Sequence, residues 1–334
     1  MPKLLAAVAL ALAAALGTAA AQSPAPQAGS GGSAAPAWPT KQVTVVVPFT
    51  AGGTTDMFAR IFANAMQQRT GIPFVVENRA GAGGNIGSSV VARAPKDGYT
   101  LLVGTVSSHS INQFVYKNMP HDVEKDFQPV SLFATLPNLL VVNPKLPVTT
   151  VAELADYLKK NPDKLSFGSS GVGASNHLAG ELFKIKTGTT MTHVPYRSSN
   201  EIMNNLIGGH IDLAFDNMTL AWPQAKAGTV RAIAVTSLKR SPIAPDVPTI
   251  AETLPGFDAT SWHGLFAPAG TPRPIVDKLA ADAKAIFSTP EVQKTLAEVG
   301  AVAAPNTPEE FSAFIAAERK KWQEVVKAAG VQQP

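Results

Sequence analysis

"PFTAGGTTD", residues 48–56, decides the reading of the fold. It follows the β-branched run "VTVVV" (43–47) and precedes "MFARIFANAM" (57–66), whose apolar residues recur at helical spacing. The passage reads as strand, glycine turn, helix start. A second junction of the same design stands at 165–181, "LSFGSSGVGASNHLAGE". The opening N–H groups of a helix have no intrahelical partners and lie at the positive end of its dipole, about half a charge. A turn of small residues lets a ligand reach them, so each junction is a candidate anion site. In the first, Gly52 and Gly53 remove Cβ obstruction, Thr54 or Thr55 can cap the helix, and Asp56 suits its first turn. In the second, Ser169, Ser170, Gly171, Gly173, Ser175 and Asn176 add hydroxyl and amide donors to the backbone nitrogens. Each loop also has the plainer reading of a tight turn with an N-cap.

Outward from these junctions the chain alternates. Short apolar or β-branched runs at 43–47, 74–77, 100–104, 139–143, 165–169, 211–215 and 231–237 read as strands. Helical periods lie between them: Val151, Leu154, Ala155 and Leu158 share a face, as do Leu178, Leu182 and Phe183, and Ile202, Met203, Leu206 and Ile207. Strand–helix alternation of this kind argues for α/β with largely parallel sheets. Two further stripes close the chain, Ile275, Val276, Leu279, Ala283, Ile286 and Phe287, then Phe311, Phe314, Ile315, Trp322, Val325 and Val326. Amphipathic helices must bury such faces, and the N-terminal strand–helix units are the expected partner. That would make the first lobe discontinuous and the middle of the chain a separate lobe.

With 334 residues, 45% hydrophobic and 16% charged, the chain is long enough for two cores. The net charge of +4 is spread without a basic block, so there is no nucleic-acid footprint. The opening "MPKLLAAVALALAAALGTAAAQ" has the n-region, apolar run and A-x-A pattern of a secretory signal, with cleavage expected after Ala21. Residues 22–37, rich in Pro, Gly, Ser and Ala, read as a flexible leader, and folded structure is expected from Trp38. There is no cysteine, which excludes disulfides, thiolate metal sites, a cysteine nucleophile and a lipidated N-terminal cysteine. An exported chain of this kind is expected free in the periplasm of a double-membraned bacterium.

Other motifs are weaker. "ENRAGAGGNIGSSVVARA" (77–94) invites a dinucleotide reading, but Ile86 stands where the third glycine is wanted, and no Gly-Lys dipeptide offers a phosphate loop. No cofactor is expected. "GASNH" (173–177) is half of a nucleophile elbow, which keeps an exported serine hydrolase built on Ser175 as the rival reading. His177 and Glu181 sit at i, i+4 without evident further metal ligands. Thr105, Ser107 and His109 follow a strand, and Asp216 with Asn217 end another. Ligands in open α/β sheets gather at such carboxyl ends. Asn85, in the third glycine stretch, joins the candidate set.

Taken in order, "VVPFTAGGTTD", "VVENRAGAGGNIG", "DGYTLLVGT", "FGSSGVGASNHLAGELF", "THVPYR", "GGHIDLAFDN", "RAIAVTSLKRSPIAPDVPTIAE" and "GLFAPAGTP" closely resemble the Bug/TctC solute receptors of tripartite tricarboxylate transporters. The resemblance runs from about Trp38 to the C-terminus. It implies a periplasmic binding protein of type II: two α/β lobes around a ligand cleft, the first discontinuous (38–137 and 237–334) and the second at 138–236. It also implies no enzymatic activity, a small carboxylate ligand, membrane permease subunits as partners, and a monomer. The ligand carboxylate would meet backbone amides of Phe49, Thr50, Ala51, Gly52 and Gly53 from one lobe. Ser169, Ser170, Gly173, Ala174, Ser175 and Asn176 would meet it from the other. Thr105, Ser107, His109, Asp216 and Asn217 would line the walls, and Asp56 would support its loop. A receptor that signals to a membrane sensor kinase is a further alternative. The sequence departs from the family pattern at Arg197, Ser198, Glu201, His210 and His263, which bears on ligand identity; Arg197 and His263 either add positive or hydrogen-bonding groups near the cleft or are surface drift.

Overall fold

The computed structural model describes residues 38–333. The expected signal peptide and leader, residues 1–37, lie outside the described residues. The chain begins with β1 (Val43–Val47), α1 (Thr54–Thr70), β2 (Phe74–Asn78), α2 (Asn85–Ala92) and β3 (Thr100–Thr105). A π-type turn (Ser107–Ile111) leads into α3 (Asn112–Val115), followed by β4 (Phe127–Leu136) and β5 (Asn138–Val142). The middle runs α4 (Val151–Lys160), β6 (Ser166–Ser169), α5 (Ser175–Thr187), β7 (Thr192–Pro195), α6 (Ser199–Gly208), β8 (Leu213–Asn217), α7 (Met218–Lys226) and β9 (Arg231–Val235). The last part is β10 (Ser261–Pro268), α8 (Arg273–Phe287), α9 (Pro290–Glu298), β11 (Val302–Ala303) and α10 (Pro308–Ala329).

Two sheets result. One has six strands in the order β11-β4-β10-β3-β1-β2, the other five in the order β7-β6-β8-β5-β9. The chain leaves the first sheet between Leu136 and Asn138 and returns to it at Ser261. The sheets are mixed rather than largely parallel. β1 pairs parallel with β2 and β3, and β6 with β7 and β8, as strand–helix–strand crossovers require. The antiparallel pairs involve β4, β5, β9, β10 and β11. Of these, β4, β10 and the two-residue β11 were not among the strand-like runs. β10 is "SWHGLFAP", buried at every position, so burial on both faces leaves no alternation to read.

Alternation along each strand sorts the core. Val43, Val45 and Val47 face Phe58 and Phe62 of α1 and Leu279 and Phe287 of α8, whereas Val46 faces the opposite side. Likewise Leu213 and Phe215 of β8 turn one way, and Ala214 turns toward Ile202 and Leu206 of α6. Ile207, expected on that same face, is 40% exposed. The last two long stripes behave as predicted for α8, which lies on β4 and α1. Helix α10 does more: it packs on β4 and also on α5, so its apolar face spans both sheets. Phe311 and Trp322 of α10 are fully buried, and Phe311 meets Trp262 and Phe266 of β10 at ring separations of 5.6 and 5.1 Å. No helix among the described residues is long and apolar enough to cross a membrane.

Removing the Phe311 ring tests that joint. Phe311→Ala is expected to cost about 3–5 kcal/mol of unfolding free energy, the range for a buried aromatic truncation. Urea unfolding measures it; a loss under about 1 kcal/mol would contradict the packing described.

Candidate functional site

Between the two halves lies a small chamber, ≈ 50 Å³, room for roughly three or four waters or one compact polar group. Its wall is mostly hydroxyls: Thr50, Thr54, Thr55, Thr105, Ser107, Ser170, Ser175, Ser198, Ser199 and Ser261, with Phe49, Gly53, Asn176, Arg197, Asn217 and His263. A second chamber of ≈ 430 Å³ adjoins it and shares Phe49, Thr50, Ser170 and Arg197. Its own wall adds Tyr116, Tyr196 and the glycine turn 81–84.

Four helix starts contribute to the inner chamber: Gly53–Thr55 of α1, Ser175 and Asn176 of α5, Ser198 and Ser199 of α6, and Asn217 before α7. At α1, α5 and α7 the cap residue's own side chain makes no hydrogen bond to the helix start. The Ser175 N–H of α5 donates instead to Ser107 Oγ, and the Met218 N–H of α7 to Pro137 O at 3.3 Å. At α6 the Ser198 hydroxyl does cap, accepting from the Glu201 N–H at 3.2 Å. α4, α9 and α10, which begin away from the chamber, carry threonine caps. The N–H groups of Gly53, Thr54 and Thr55 have no acceptor among the described residues. Each uncapped end brings about half a positive charge to the same small volume.

Of the expected residues, Phe49, Thr50, Gly53, Thr105, Ser107, Ser170, Ser175, Asn176 and Asn217 line the chamber. Ala51 and Gly52 are exposed on the outer side of their turn. The Gly52 N–H is already taken, donating to Asp56 Oδ2 at 3.0 Å. Asp56 thereby supports its loop: it also accepts from Arg60 Nε at 2.8 Å and Asn78 Nδ2 at 3.0 Å. Burial alone would raise its pKa. The hydrogen bonds from Arg60, Gly52 and Asn78, with the charge of Arg60, outweigh that and hold the carboxyl below the usual range.

The second loop differs from the expectation of open amides. The N–H groups of Ser170, Gly171, Gly173, Ala174 and Ser175 donate to Asn176 Oδ1, Ser169 Oγ, His177 Nδ1, Gly171 O and Ser107 Oγ. The loop is folded on itself, because a six-residue turn with two serines and an asparagine satisfies its own donors. What it turns toward the chamber is hydroxyls and the first turn of α5. Gly173 and Ala174 lie behind, with Gly173 at φ +82° and pressed against Asn112. Ser169 is fully buried and hydrogen-bonded to His193 Nε2.

Three other expected residues stand one layer back. His109 is buried, stacked 3.9 Å from Phe266, with Nδ1 against Ser108 Oγ. Asn85 accepts from Asn112 Nδ2 at 2.7 Å. Asp216 is 1% exposed; its Oδ1 accepts from Ser199 Oγ at 2.8 Å and Asn176 Nδ2 at 3.2 Å, and its Oδ2 is buried without a partner. It positions two wall residues, and burial raises its pKa despite those bonds. Ser199 and Ser261 are wall residues that sequence reasoning missed. "YRSSNE" (196–201) carried a signal, a serine cap three residues before a glutamate at a helix start.

The halves touch across the cleft. Ser175 N–H donates to Ser107 Oγ at 3.0 Å, the Tyr116 hydroxyl donates to Val172 O at 2.9 Å, and the hydroxyls of Thr54 and Thr219 hydrogen-bond. Contacts of this kind exist only when the cleft is shut. For a hydrolase, Ser175 would need a base on its hydroxyl, yet none of the histidines bonds it among the described residues; the serine–histidine bonds join Ser169 to His193, Ser108 to His109 and Ser89 to His121. No group of three or more His, Asp or Glu suited to a metal occurs among the described residues.

A two-sheet α/β molecule with one polar chamber walled by helix starts from both halves has the build of a solute-binding protein. Residues 58–331 match the family described as "Tripartite tricarboxylate transporter family receptor", and the chain belongs to that family. Protein BugT of Bordetella pertussis is 35% identical over 295 residues, covering 88% of this chain and 90% of BugT. Rpa4515 of R. palustris, solved with adipate, superposes with TM-score 0.85 at 43% identity over 88% of this chain and 99% of its own. MatC of Rhodopseudomonas palustris, solved with bound malate, gives TM-score 0.82 at 34% identity over 86% of this chain and 100% of its own.

The histidines under the second loop give a pH signature. His177 and His193 stack at 3.9 Å; burial first, then the Lys184 charge (and for His177 also its neighbour His193), lowers them from 6.5 to about 3 and about 4. Burial also takes His263 to about 3. As pH falls the unfolded chain binds these protons first. Their contribution to stability is therefore complete above pH 6.5 and is lost as pH falls toward 4 and 3. The melting temperature should drop across that window, and His193→Asn should make the drop shallower. A scan that is flat from neutrality down to pH about 4 would contradict the burial of neutral imidazoles.

Proposed function

We propose that the protein is a periplasmic solute-binding protein that captures a small carboxylate in the inner chamber and presents its closed form to membrane permease subunits. The observation that carries this reading is the set of helix starts around the chamber, with the amides of Gly53, Thr54 and Thr55 free of acceptors among the described residues. Such donors hold a carboxylate without a buried countercharge, which avoids the desolvation cost of an ion pair. The adipate and malate complexes of its relatives support the same ligand class. The proposal includes export with cleavage after Ala21, a monomer without catalytic activity, and lobes at 38–137 with 237–334 and at 138–236. Cross-cleft bonds made only on closure let a bound anion shift the population toward the shut form.

The direct test is thermal stability with a panel of carboxylates that includes adipate and malate, beside sugars, amines and metal salts. A carboxylate ligand at about a hundred times its Kd should add about 2.7 kcal/mol of stability. A shift with sugars, amines or metals alone would end the carboxylate reading. The variant to use is Gly53→Val rather than a change at Gly52. Gly52 has φ +79°, so a side chain there strains the backbone, whereas a Cβ at Gly53 meets nothing closer than Thr50 O at 3.6 Å. Gly53→Val should abolish the ligand shift while keeping the unliganded melting temperature within a few degrees; full affinity would remove the α1 start from the site.

A further inference from the structure

The two chambers meet at a threshold formed by Phe49, Thr50, Ser170 and Arg197. Among the described residues that line either one, Arg197 is the one side chain with a formal charge, the chamber histidine His263 being held neutral by burial. Arg197 is exposed, and its backbone N–H donates to Glu201 Oε2 at 3.0 Å. Its guanidinium, by contrast, has no hydrogen bond and no ion pair among the described residues. The other arginines all use theirs: on Asp56, Asp282, Glu77, Pro120 O, Leu146 O, Glu252, Asp277 and His109 O for Arg60, Arg69, Arg79, Arg93, Arg231, Arg240, Arg273 and Arg319. A planar five-donor fork stands unused at the mouth of a chamber already furnished with helix ends.

Volume adds a second constraint. At ≈ 50 Å³ the inner chamber takes a head group and little more, so the body of a ligand must pass the threshold into the ≈ 430 Å³ outer chamber. The outer chamber's aromatic walls, Phe49, Tyr116 and Tyr196, suit a hydrocarbon stem. We infer that Arg197 selects a dianion: a chain-like dicarboxylate with one carboxylate among the helix starts of the inner chamber, its stem across the threshold, and the second carboxylate paired with the guanidinium where Arg197 lines the outer chamber. The fork geometry matches a carboxylate through two parallel N–H bonds. The inference rests on the carboxylate reading above and goes beyond it by naming the residue that counts the second charge.

Calorimetric titration of the full mature chain tests it. The probes are the α,ω-dicarboxylates from succinate to suberate, each beside the monocarboxylate of equal carbon number, at neutral pH and fixed ionic strength. The best diacid should bind at least about tenfold more tightly than its matched monoacid, a modest figure because Arg197 is exposed and water screens the pair. Arg197→Gln should cost the diacid at least about fivefold more than it costs the monoacid, and Arg197→Lys should restore part of the preference. Two outcomes overturn the inference alone: matched monoacids that bind as tightly as diacids, or equal losses for both classes in Arg197→Gln, which would make the guanidinium a partner of the single head group. Failure of the wild-type protein to bind any acid of either series overturns the carboxylate reading along with it.

Discussion

Convergence of uncapped helix ends on one small volume is the constraint from which the rest of the architecture follows. A helix start brings about half a charge and open N–H donors only if it is left unneutralised. Here α1, α5 and α7 reach the chamber without a cap from their own cap residues, as α2 and α8 do elsewhere, and the α1 start keeps the N–H groups of Gly53, Thr54 and Thr55 without an acceptor among the described residues. Mutual repulsion of like ends and the unmet donors make such a cluster costly in an empty shut cleft. An anion relieves both. The parallel part of each sheet delivers the ends to this place: β1, β6 and β8 each run toward the cleft and hand the chain to α1, α5 and α7 at their carboxyl ends.

Closure is the counterpart of that cluster. Ser107 with Ser175, Tyr116 with Val172 and Thr54 with Thr219 bridge the halves, and Asp216 behind the wall fixes Asn176 and Ser199. Neutral hydroxyl and amide bonds of this type are individually worth about 0.5–1.5 kcal/mol, so they bias the shut form without locking it. Differential affinity of a ligand for that form then sets how far the population moves. α10 packs on β4 and α5 together and so joins the two halves.

Much of this was legible in the chain. The strand-turn-helix junction at 48–56, its counterpart at 165–181 and the closing amphipathic stripes all fell where the pattern placed them, because strand alternation and helical period are local signals. What escaped had non-local causes. β10 is buried on both faces and interrupted by Gly264 and Pro268, so neither period marks it. The starts of α6 and α7 join the chamber only through the order of strands in the second sheet. Gly52 looked like a donor, but Asp56 four residues on claims its N–H. Serines and an asparagine inside the second loop likewise occupy amides that the sequence alone presents as open.

A crystal structure of the carboxylate complex measures the central claim most directly. The account predicts carboxylate oxygens at about 2.7–3.1 Å from the backbone nitrogens of the α1 start, directly or through one ordered water, with hydroxyls of the α5 and α6 starts completing the shell. A carboxylate seated outside the inner chamber, or one held by the Arg197 guanidinium alone while those nitrogens face bulk solvent, would contradict it.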